Sequence, residues 1–181
     1  MAELKLLVGL GNPGDGYKKN RHNVGFEAIE QIIDAWGLQG TLKYEAKFEA
    51  RILKIGRLVM MEPQTFMNES GRSVRKVKDY YDIPLDSVYV FHDDLDIVLG
   101  EHKIMWGKGP KVHNGINSVV ENLGTTEFWR VRIGVDNREI HVEDAAISGA
   151  DYVLGNFRST EKEIVTAVIG KIAAELKNLN G

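Results

Sequence analysis

The chain has 181 residues, of which 43% are apolar and 27% charged, and this composition predicts one globular domain over residues 1–181. The formal net charge is −3, so a nucleic-acid partner would need a local basic patch, because the overall field of the protein is not positive. The absence of cysteine excludes disulfides, thiolate metal ligands and a cysteine nucleophile.

The chain has no targeting or membrane-spanning pattern. No apolar stretch approaches the ~20 residues needed to cross a bilayer. The first residues, MAELKLLVG, lack the basic region, apolar core and cleavage site of a signal peptide. We therefore expect a cytoplasmic protein without a membrane segment.

Hydrophobic periodicity predicts strands that alternate with helices along the chain. The strands are predicted near 4–9, 48–55, 57–62, 87–92, 100–105 and 128–135. The helices are predicted near 24–36, 67–81, 114–123 and 159–178. The strands at 48–62 are joined by too short a connection for a crossover and should be antiparallel. The pattern predicts an α/β fold of three layers, α/β/α, around a twisted, mixed and largely parallel sheet.

The first predicted strand leads into GLGNPG, residues 9–14, which satisfies the dinucleotide-binding pattern G-x-G-x-x-G. A dinucleotide site also needs the third glycine to open a helix and an acid about 20 residues later to end a second strand. Pro13 has no N–H to offer a pyrophosphate, and the acid at the right distance, Asp34, falls inside a predicted helix. A dinucleotide-dependent oxidoreductase is therefore a minor alternative.

Polar residues follow three predicted strands, at Asn12, at 63–68 and at 92–96. Ligands of such sheets bind at the carboxyl ends of strands, so these residues, with His22 and Asn114, could line one cleft. Each has an alternative interpretation. Asn68 and Asn114 could be helix caps, and HDDLD at 92–96 could be a metal site or a solvated turn.

The types of residue narrow the chemistry of this cleft. The chain lacks the G-x-S-x-G, H-E-x-x-H and P-loop motifs, so nothing supports a covalent serine or zinc-peptidase mechanism. A histidine can take a proton from water, a carboxylate such as Asp93 can orient its ring, and amides can position a carbonyl. This set suits the hydrolysis of an activated ester.

Six segments resemble, in order, the bacterial peptidyl-tRNA hydrolase family. They are GLGNPGDGYKKNRHNVGF, EPQTFMNESGRSV, VFHDDLD, KVHNGINS, FWRVRIGV and DYVLGNF. The resemblance implies an enzyme without metal or cofactor that cleaves the ester between a peptide and the terminal ribose of tRNA. Its partner is peptidyl-tRNA, and we expect a monomer.

The resemblance also implies roles for individual residues. His22 and Asp93 match the catalytic histidine and the aspartate that hydrogen-bonds it. The residues expected to bind the peptidyl part are Asn12, Tyr17, Met67, Asn68 and Asn114. The residues expected in or beside the tRNA-binding surface are Lys103, Lys108, Lys111, His113 and Arg132.

The departures from the family pattern fall on the tRNA side. The family's glycine-rich run before HNG is replaced by GKGPKV, and Met105 stands where a lysine commonly accompanies the phosphate-binding arginine. Pro110 should stiffen this loop, and Lys108 and Lys111 could supply the phosphate contacts that Met105 cannot. A relative that binds tRNA but has lost turnover is the other alternative.

Overall fold

The computed structural model describes residues 3–180, and its strands form one mixed sheet with helices on both faces. The strands are β1 (Lys5–Gly9), β2 (Lys43–Glu45), β3 (Ala50–Ile55), β4 (Leu58–Pro63), β5 (Val88–Val98), β6 (His102–Trp106) and β7 (Trp129–Asp136). The helices are α1 (Val24–Ala35), α2 (Ser70–Tyr80), α3 (Asn114–Leu123), α4 (Gly149–Leu154) and α5 (Ser159–Glu175).

The sheet has the strand order β2-β3-β4-β1-β5-β7-β6. The central pairs β4/β1, β1/β5 and β5/β7 are parallel, whereas β2/β3, β3/β4 and β6/β7 are antiparallel. This confirms the predicted mixed, largely parallel sheet and the antiparallel pair within 48–62. Gly56 makes the tight β3–β4 connection at a φ of 53°, which is in the left-handed region.

Two apolar layers cover the sheet. On one face, α1 and α5 place Ile29, Ile32 and Ile169 in a cluster with sheet residues such as Phe91. On the other face, Val74 of α2 and Val119 of α3 belong to the cluster that contains Val8 and Val90. Successive side chains along the strands point to opposite faces and so contribute to both apolar layers. The result is the predicted α/β/α arrangement.

Two glycines bring the beginning of α1 against the end of β1. A Cβ atom on Gly9 would lie 2.3 Å from the carbonyl oxygen of Gly25, and one on Gly25 would lie 2.4 Å from that of Leu10. Larger residues cannot occupy these positions without moving the helix. Gly9 therefore serves the packing of strand against helix, and this packing places His22, which precedes α1, at the carboxyl edge of the sheet.

The predicted end of β5 near residue 92 is wrong, because the strand continues to Val98. HDDLD is thus part of a strand and not a turn. Asp93 and Asp94 pair with Ile133 and Gly134 of β7, and the register shifts before Val98. Adjacent strand residues point to opposite faces, so the two acids reach different partners and neither needs exposure to water.

Smaller differences concern short elements. The edge strand β2 was not predicted, because its three residues carry no apolar alternation. The six-residue α4 was not predicted either, and it begins at the Ser148 cap. The predicted helix 67–81 divides into a 3₁₀ turn, Met67–Glu69, and α2, and the predicted helix 159–178 ends at Glu175 before another 3₁₀ turn.

Candidate active site

A cavity of about 530 Å³ opens at the carboxyl edge of the sheet. Its polar lining consists of Asn12, His22, Asn68, Asp93, His113 and Asn114. Its apolar lining includes Phe66, Met67, Leu95, Pro110, Val112, Val153 and Leu154. The predicted cleft therefore exists, and it brings together both expected catalytic residues and four of the five expected peptide-binding residues.

His22 and Asp93 form a hydrogen-bonded pair in this cavity. Nδ1 of His22 lies 2.8 Å from Oδ1 of Asp93, and both side chains are largely buried. Burial lowers the pKa of His22, but the Asp93 carboxylate outweighs it, so the pKa is raised above its ordinary value. Because the ionised carboxylate accepts from Nδ1–H, Nε2 is the nitrogen of the neutral ring that can take a proton from water.

His113 shares the same carboxylate oxygen. Its Nε2 lies 3.0 Å from Oδ1 of Asp93, and its Nδ1 accepts a hydrogen bond from the backbone N–H of Ile116. The two imidazoles hold the pKa of Asp93 well below its usual range even though burial raises it. His113 was predicted in or beside the tRNA-binding surface; it lines the cavity, but it is 6% exposed and both of its ring nitrogens already have hydrogen-bond partners.

Three donor atoms in this cluster lie close enough to bind a metal ion. The atoms belong to His22, Asp93 and His113 and lie within 4.8 Å of one another. The hydrogen bonds do not fit such a role. Nδ1 of His113 accepts from Ile116, so the neutral ring carries its proton on Nε2, and a protonated nitrogen cannot coordinate a metal.

The other residues of HDDLD have structural partners. His92 is buried and its Nδ1 donates to the carbonyl oxygen of Asp93, while burial lowers the pKa of His92 to about 3. His92 is therefore neutral near pH 7. Oδ2 of Asp94 accepts from Nε of Arg132 at 2.6 Å. Because His92 and Asp94 are engaged away from the Asp93 carboxylate, HDDLD is not one ligand cluster.

The asparagines are arranged as donors around the pair. Oδ1 of Asn12 accepts the backbone N–H of Met67 at 2.8 Å, which leaves its Nδ2 available to a substrate oxygen. Asn68 and Asn114 make no side-chain hydrogen bond within residues 3–180. The cap alternatives are wrong, because His113 caps α3 and Glu69 occupies the N-cap position of α2. Amides without internal partners can bind peptide carbonyls or water.

The apolar wall includes positions that sequence reasoning missed. The α4 helix contributes Val153 and Leu154, and the loop before α3 contributes Val112. Phe66 is more than half exposed, and its ring contacts that of Tyr17 edge-on at 6.5 Å between centroids. Tyr17 is not among the lining residues and meets the cavity wall only through this contact with Phe66. No sequence signal identified this wall, since these residues come from turns and a short helix.

The predicted basic residues differ in their exposure, and none of the three lysines nor Arg132 is among the residues that line the cavity. Lys103, Lys108 and Lys111 are exposed, and the backbone N–H of Lys111 bonds the carboxylate of Asp96 at 3.1 Å. Arg132 is only 11% exposed at its side chain. Besides the bond to Asp94, its Nη1 donates to Sδ of Met105 at 3.5 Å. Among the predicted tRNA contacts, the three lysines are therefore more accessible than Arg132.

The fold and the site define an α/β enzyme with a histidine–aspartate pair at the carboxyl edge of a mixed sheet. The chain belongs to the peptidyl-tRNA hydrolase family, whose model matches residues 6–180. It is 38% identical to the peptidyl-tRNA hydrolase of Oceanobacillus iheyensis over 172 residues, covering 94% of this chain and 89% of that one. The peptidyl-tRNA hydrolase of Bacillus anthracis is also 38% identical, with the same coverage.

A solved structure supports the same relationship. The crystal structure of peptidyl-tRNA hydrolase from Acinetobacter baumannii matches with a TM-score of 0.83 and 33% identity. The match covers 99% of this chain and 89% of that one. The family and fold confirm the resemblance and do not favour the oxidoreductase or the inactive relative. Within residues 3–180, no helix has the length and apolar character needed to cross a bilayer.

Proposed function

We propose that this protein hydrolyses the ester bond of peptidyl-tRNA and releases the peptide and free tRNA. The observation that carries the proposal is the 2.8 Å bond between His22 and Asp93 in a cavity lined by amides. Membership of the peptidyl-tRNA hydrolase family supplies the substrate class.

In the proposed reaction, Nε2 of His22 accepts a proton from water as the water oxygen attacks the ester carbonyl. Asp93 holds the ring in the required tautomer and stabilises the imidazolium, an arrangement whose general-base contribution is typically about 10² to 10⁴ in rate. The bond from the carbonyl carbon to the ribose oxygen then breaks, and the proton on His22 passes to that oxygen. The products are a carboxylic acid and a free hydroxyl.

The asparagines are proposed to bind the reacting group and the adjoining peptide. Nδ2 of Asn12 and the amides of Asn68 and Asn114 can donate to the developing oxyanion or to peptide carbonyls. Met67 and the apolar wall, which includes Phe66, would hold a side chain of the peptide. Tyr17 supports this wall through its contact with Phe66.

The proposed tRNA contacts are Lys103 and Arg132, which are register partners on β6 and β7, and Lys108 and Lys111 in the connection between β6 and α3. Surface lysines can reach backbone phosphates, whereas Arg132 already pairs with Asp94 and would contribute less. We assign His113 to the positioning of Asp93 and not to tRNA binding.

We further propose that the enzyme works as a cytoplasmic monomer without a metal ion. Every residue placed in the reaction comes from one chain, so the site needs no second copy. The protonated Nε2 of His113 argues against a metal between the histidines.

The test is the release of free tRNA from purified peptidyl-tRNA, with His22→Asn as the reference. We expect turnover by the natural chain and strongly reduced turnover by the variant. Tight tRNA binding by the natural chain without release would favour the inactive relative instead. A saturable thermal shift with NAD(H) or FAD would support the oxidoreductase.

A further inference from the structure

Arg130 of β7 is a buried residue whose guanidinium has no carboxylate partner among residues 3–180. The residue is 2% exposed, and its Nε and Nη1 atoms have no hydrogen-bond partner among residues 3–180. The ring of Phe128 lies 4.3 Å from the guanidinium carbon. Arginine remains protonated in proteins, so this is a buried positive charge that no carboxylate within residues 3–180 pairs.

The strands beside Arg130 offer no strong acceptor. Its register partners are Val90 on β5 and Met105 on β6. Arg132, two residues further along the same face, already donates to Asp94 and to the thioether of Met105. Burial and the charge of Arg132 lower the pKa of Arg130. The local surroundings therefore favour an added negative charge.

Gly109, in the connection between β6 and α3, lies against this guanidinium. A Cβ atom on Gly109 would lie 2.9 Å from Cδ and 3.0 Å from Nε of Arg130, so glycine allows the backbone to lie directly against the side chain. Within residues 3–180, the bond from Lys111 to Asp96 is the one hydrogen bond that holds segment 108–112 to the rest of the protein. Displacing this segment from Arg130 would break few contacts.

We propose that Arg130 is a binding residue for a phosphate group of the tRNA backbone, which it meets when segment 108–112 moves away while Gly107 and His113 keep their bonds to Phe128 and Asp93. The inference rests on the proposed function. Nε and an Nη atom of a guanidinium form a fork that matches two phosphate oxygens, a geometry that a lysine cannot reproduce. Lys103 and Lys108, exposed nearby, would add to the attraction of the same polyanion.

The position of Arg130 assigns it to binding and not to the chemical step. Arg130 lies three residues before Ile133, which is the β7 partner of Asp93. Three residues span about 10 Å along a strand. A phosphate at Arg130 is therefore remote from the ester at His22. Loss of the guanidinium should weaken the binding of tRNA and change the turnover of bound substrate much less.

The first test compares Arg130→Met with the natural chain. An unpaired buried charge opposes folding, so its apolar replacement should raise the Tm by about 2–4 °C in chloride buffer. It should also raise KM for peptidyl-tRNA about 10-fold or more and abolish any stabilisation by inorganic phosphate at constant ionic strength. Arg75→Met, on the exposed face of α2, is the matched control and should show none of these effects.

A structural role predicts the opposite pattern. A lower Tm for Arg130→Met with unchanged KM would overturn the proposal. Arg130→Lys keeps the charge without the fork, and it should bind tRNA more weakly than the natural chain if the phosphate is held by both nitrogens. If Arg130→Met does not fold, Arg130→Lys is tested in its place. A tRNA affinity of Arg130→Lys equal to that of the natural chain would then contradict the proposal.

Binding of deacylated tRNA and binding of inorganic phosphate are measured separately, so that a tRNA phosphate can be distinguished from the free ion. Neither measurement depends on the proposed hydrolysis. Deacylated tRNA should bind Arg130→Met more weakly than the natural chain, and the slope of log K against log salt should fall in magnitude by about 0.7 to 0.9. If the substitution weakens the binding of inorganic phosphate but not that of deacylated tRNA, the assignment to tRNA is wrong. Both measurements can be made even if the protein fails to hydrolyse peptidyl-tRNA.

Discussion

Nη1 of Arg51 lies 2.7 Å from Oε2 of Glu62, yet Oε1 of the same buried carboxyl has no hydrogen-bond partner within residues 3–180. Burial raises the pKa of Glu62 to about 8 despite the charge of Arg51. Arg51 is 38% exposed at its side chain, so solvent screens its attraction for the carboxylate. Glu62 is thus held in a site that favours its neutral form.

The first prediction concerns the stability of Glu62→Gln. The carboxyl of the unfolded chain ionises near its ordinary pKa of 4.5, whereas the folded carboxyl ionises near 8. The free energy of unfolding should therefore fall as pH rises between these values, by up to about 1.4 kcal/mol per pH unit for this group. The glutamine variant should lose this dependence and be more stable than the natural chain at pH 8, by about 1–3 kcal/mol.

Thermal unfolding at pH 5 and pH 8 measures this difference. Glu163→Gln, which removes an exposed carboxyl, should behave like the natural chain at both pH values. If the glutamine variant of Glu62 were less stable at pH 8 than at pH 5 by the same amount as the natural chain, another group would be responsible.

The second prediction concerns His22→Asn. Removing the proposed base should lower kcat by at least ~10²-fold, while folding and tRNA affinity should be nearly unchanged. Steady-state kinetics and a tRNA-binding assay measure the two quantities. His102→Asn is a matched control, because that ring pairs with Glu175 outside the cavity. Normal turnover by the His22 variant would remove it from the mechanism.

The third prediction concerns the pH dependence of Asp93→Asn. The base must be neutral, so the rate should rise with pH through the pKa of His22, which Asp93 raises. Without that carboxylate the rising limb should move to lower pH, and the maximal rate should fall because the imidazolium is no longer stabilised. A pH–rate profile measures both effects. An unmoved limb would mean that Asp93 does not act through His22.

The strongly periodic elements of the fold could be predicted from the sequence, as could the place of the site. Apolar alternation predicted most of the strands. Because ligands of such sheets bind at the carboxyl ends of the strands, Asn12 and Asp93 were predicted to line one cleft. The extension of β5 through HDDLD could not be predicted. Acidic runs usually indicate solvated turns, and these acids are tolerated in a strand because His22 and His113 donate hydrogen bonds to Asp93 and Arg132 pairs with Asp94.

The finer arrangement of the site depends on contacts between distant segments. The dual role of His113, as helix cap and as donor to Asp93, requires the three-dimensional position of both partners. The wall formed by α4 was missed because a six-residue helix carries too little periodicity. The lack of a hydrogen-bond partner for Nε and Nη1 of Arg130 within residues 3–180 could not be predicted either, because a charged residue in an alternating strand is expected to face solvent.

The fourth prediction is that catalysis does not depend on a metal ion. The argument is the tautomer of His113, whose Nε2 must carry the proton while Nδ1 accepts from Ile116. Incubation with a strong chelator followed by dialysis should leave kcat unchanged. Loss of activity that zinc or magnesium restores would show that the hydrogen bonds rearrange around a metal.

The last prediction concerns Lys108 and Lys111, which are exposed on the loop that carries Pro110 into the cavity wall. If both side chains bind phosphates, changing both to alanine should weaken tRNA binding and leave kcat largely intact. The slope of log K against log salt should decrease in magnitude by about 0.7 to 0.9 for each phosphate that is no longer neutralised. The bond from the backbone of Lys111 to Asp96 does not involve the lysine side chain, so the loop should keep its position.

A control with the same change in net charge is the double variant Lys76→Ala and Lys78→Ala on α2, outside the cavity lining. Its salt dependence should differ little from that of the natural chain, because charges beyond about 10 Å are largely screened at ordinary ionic strength. Equal slopes for the two double variants would show that the loop lysines act only through net charge. The phosphate contacts would then fall to Lys103 and to the arginines of β7.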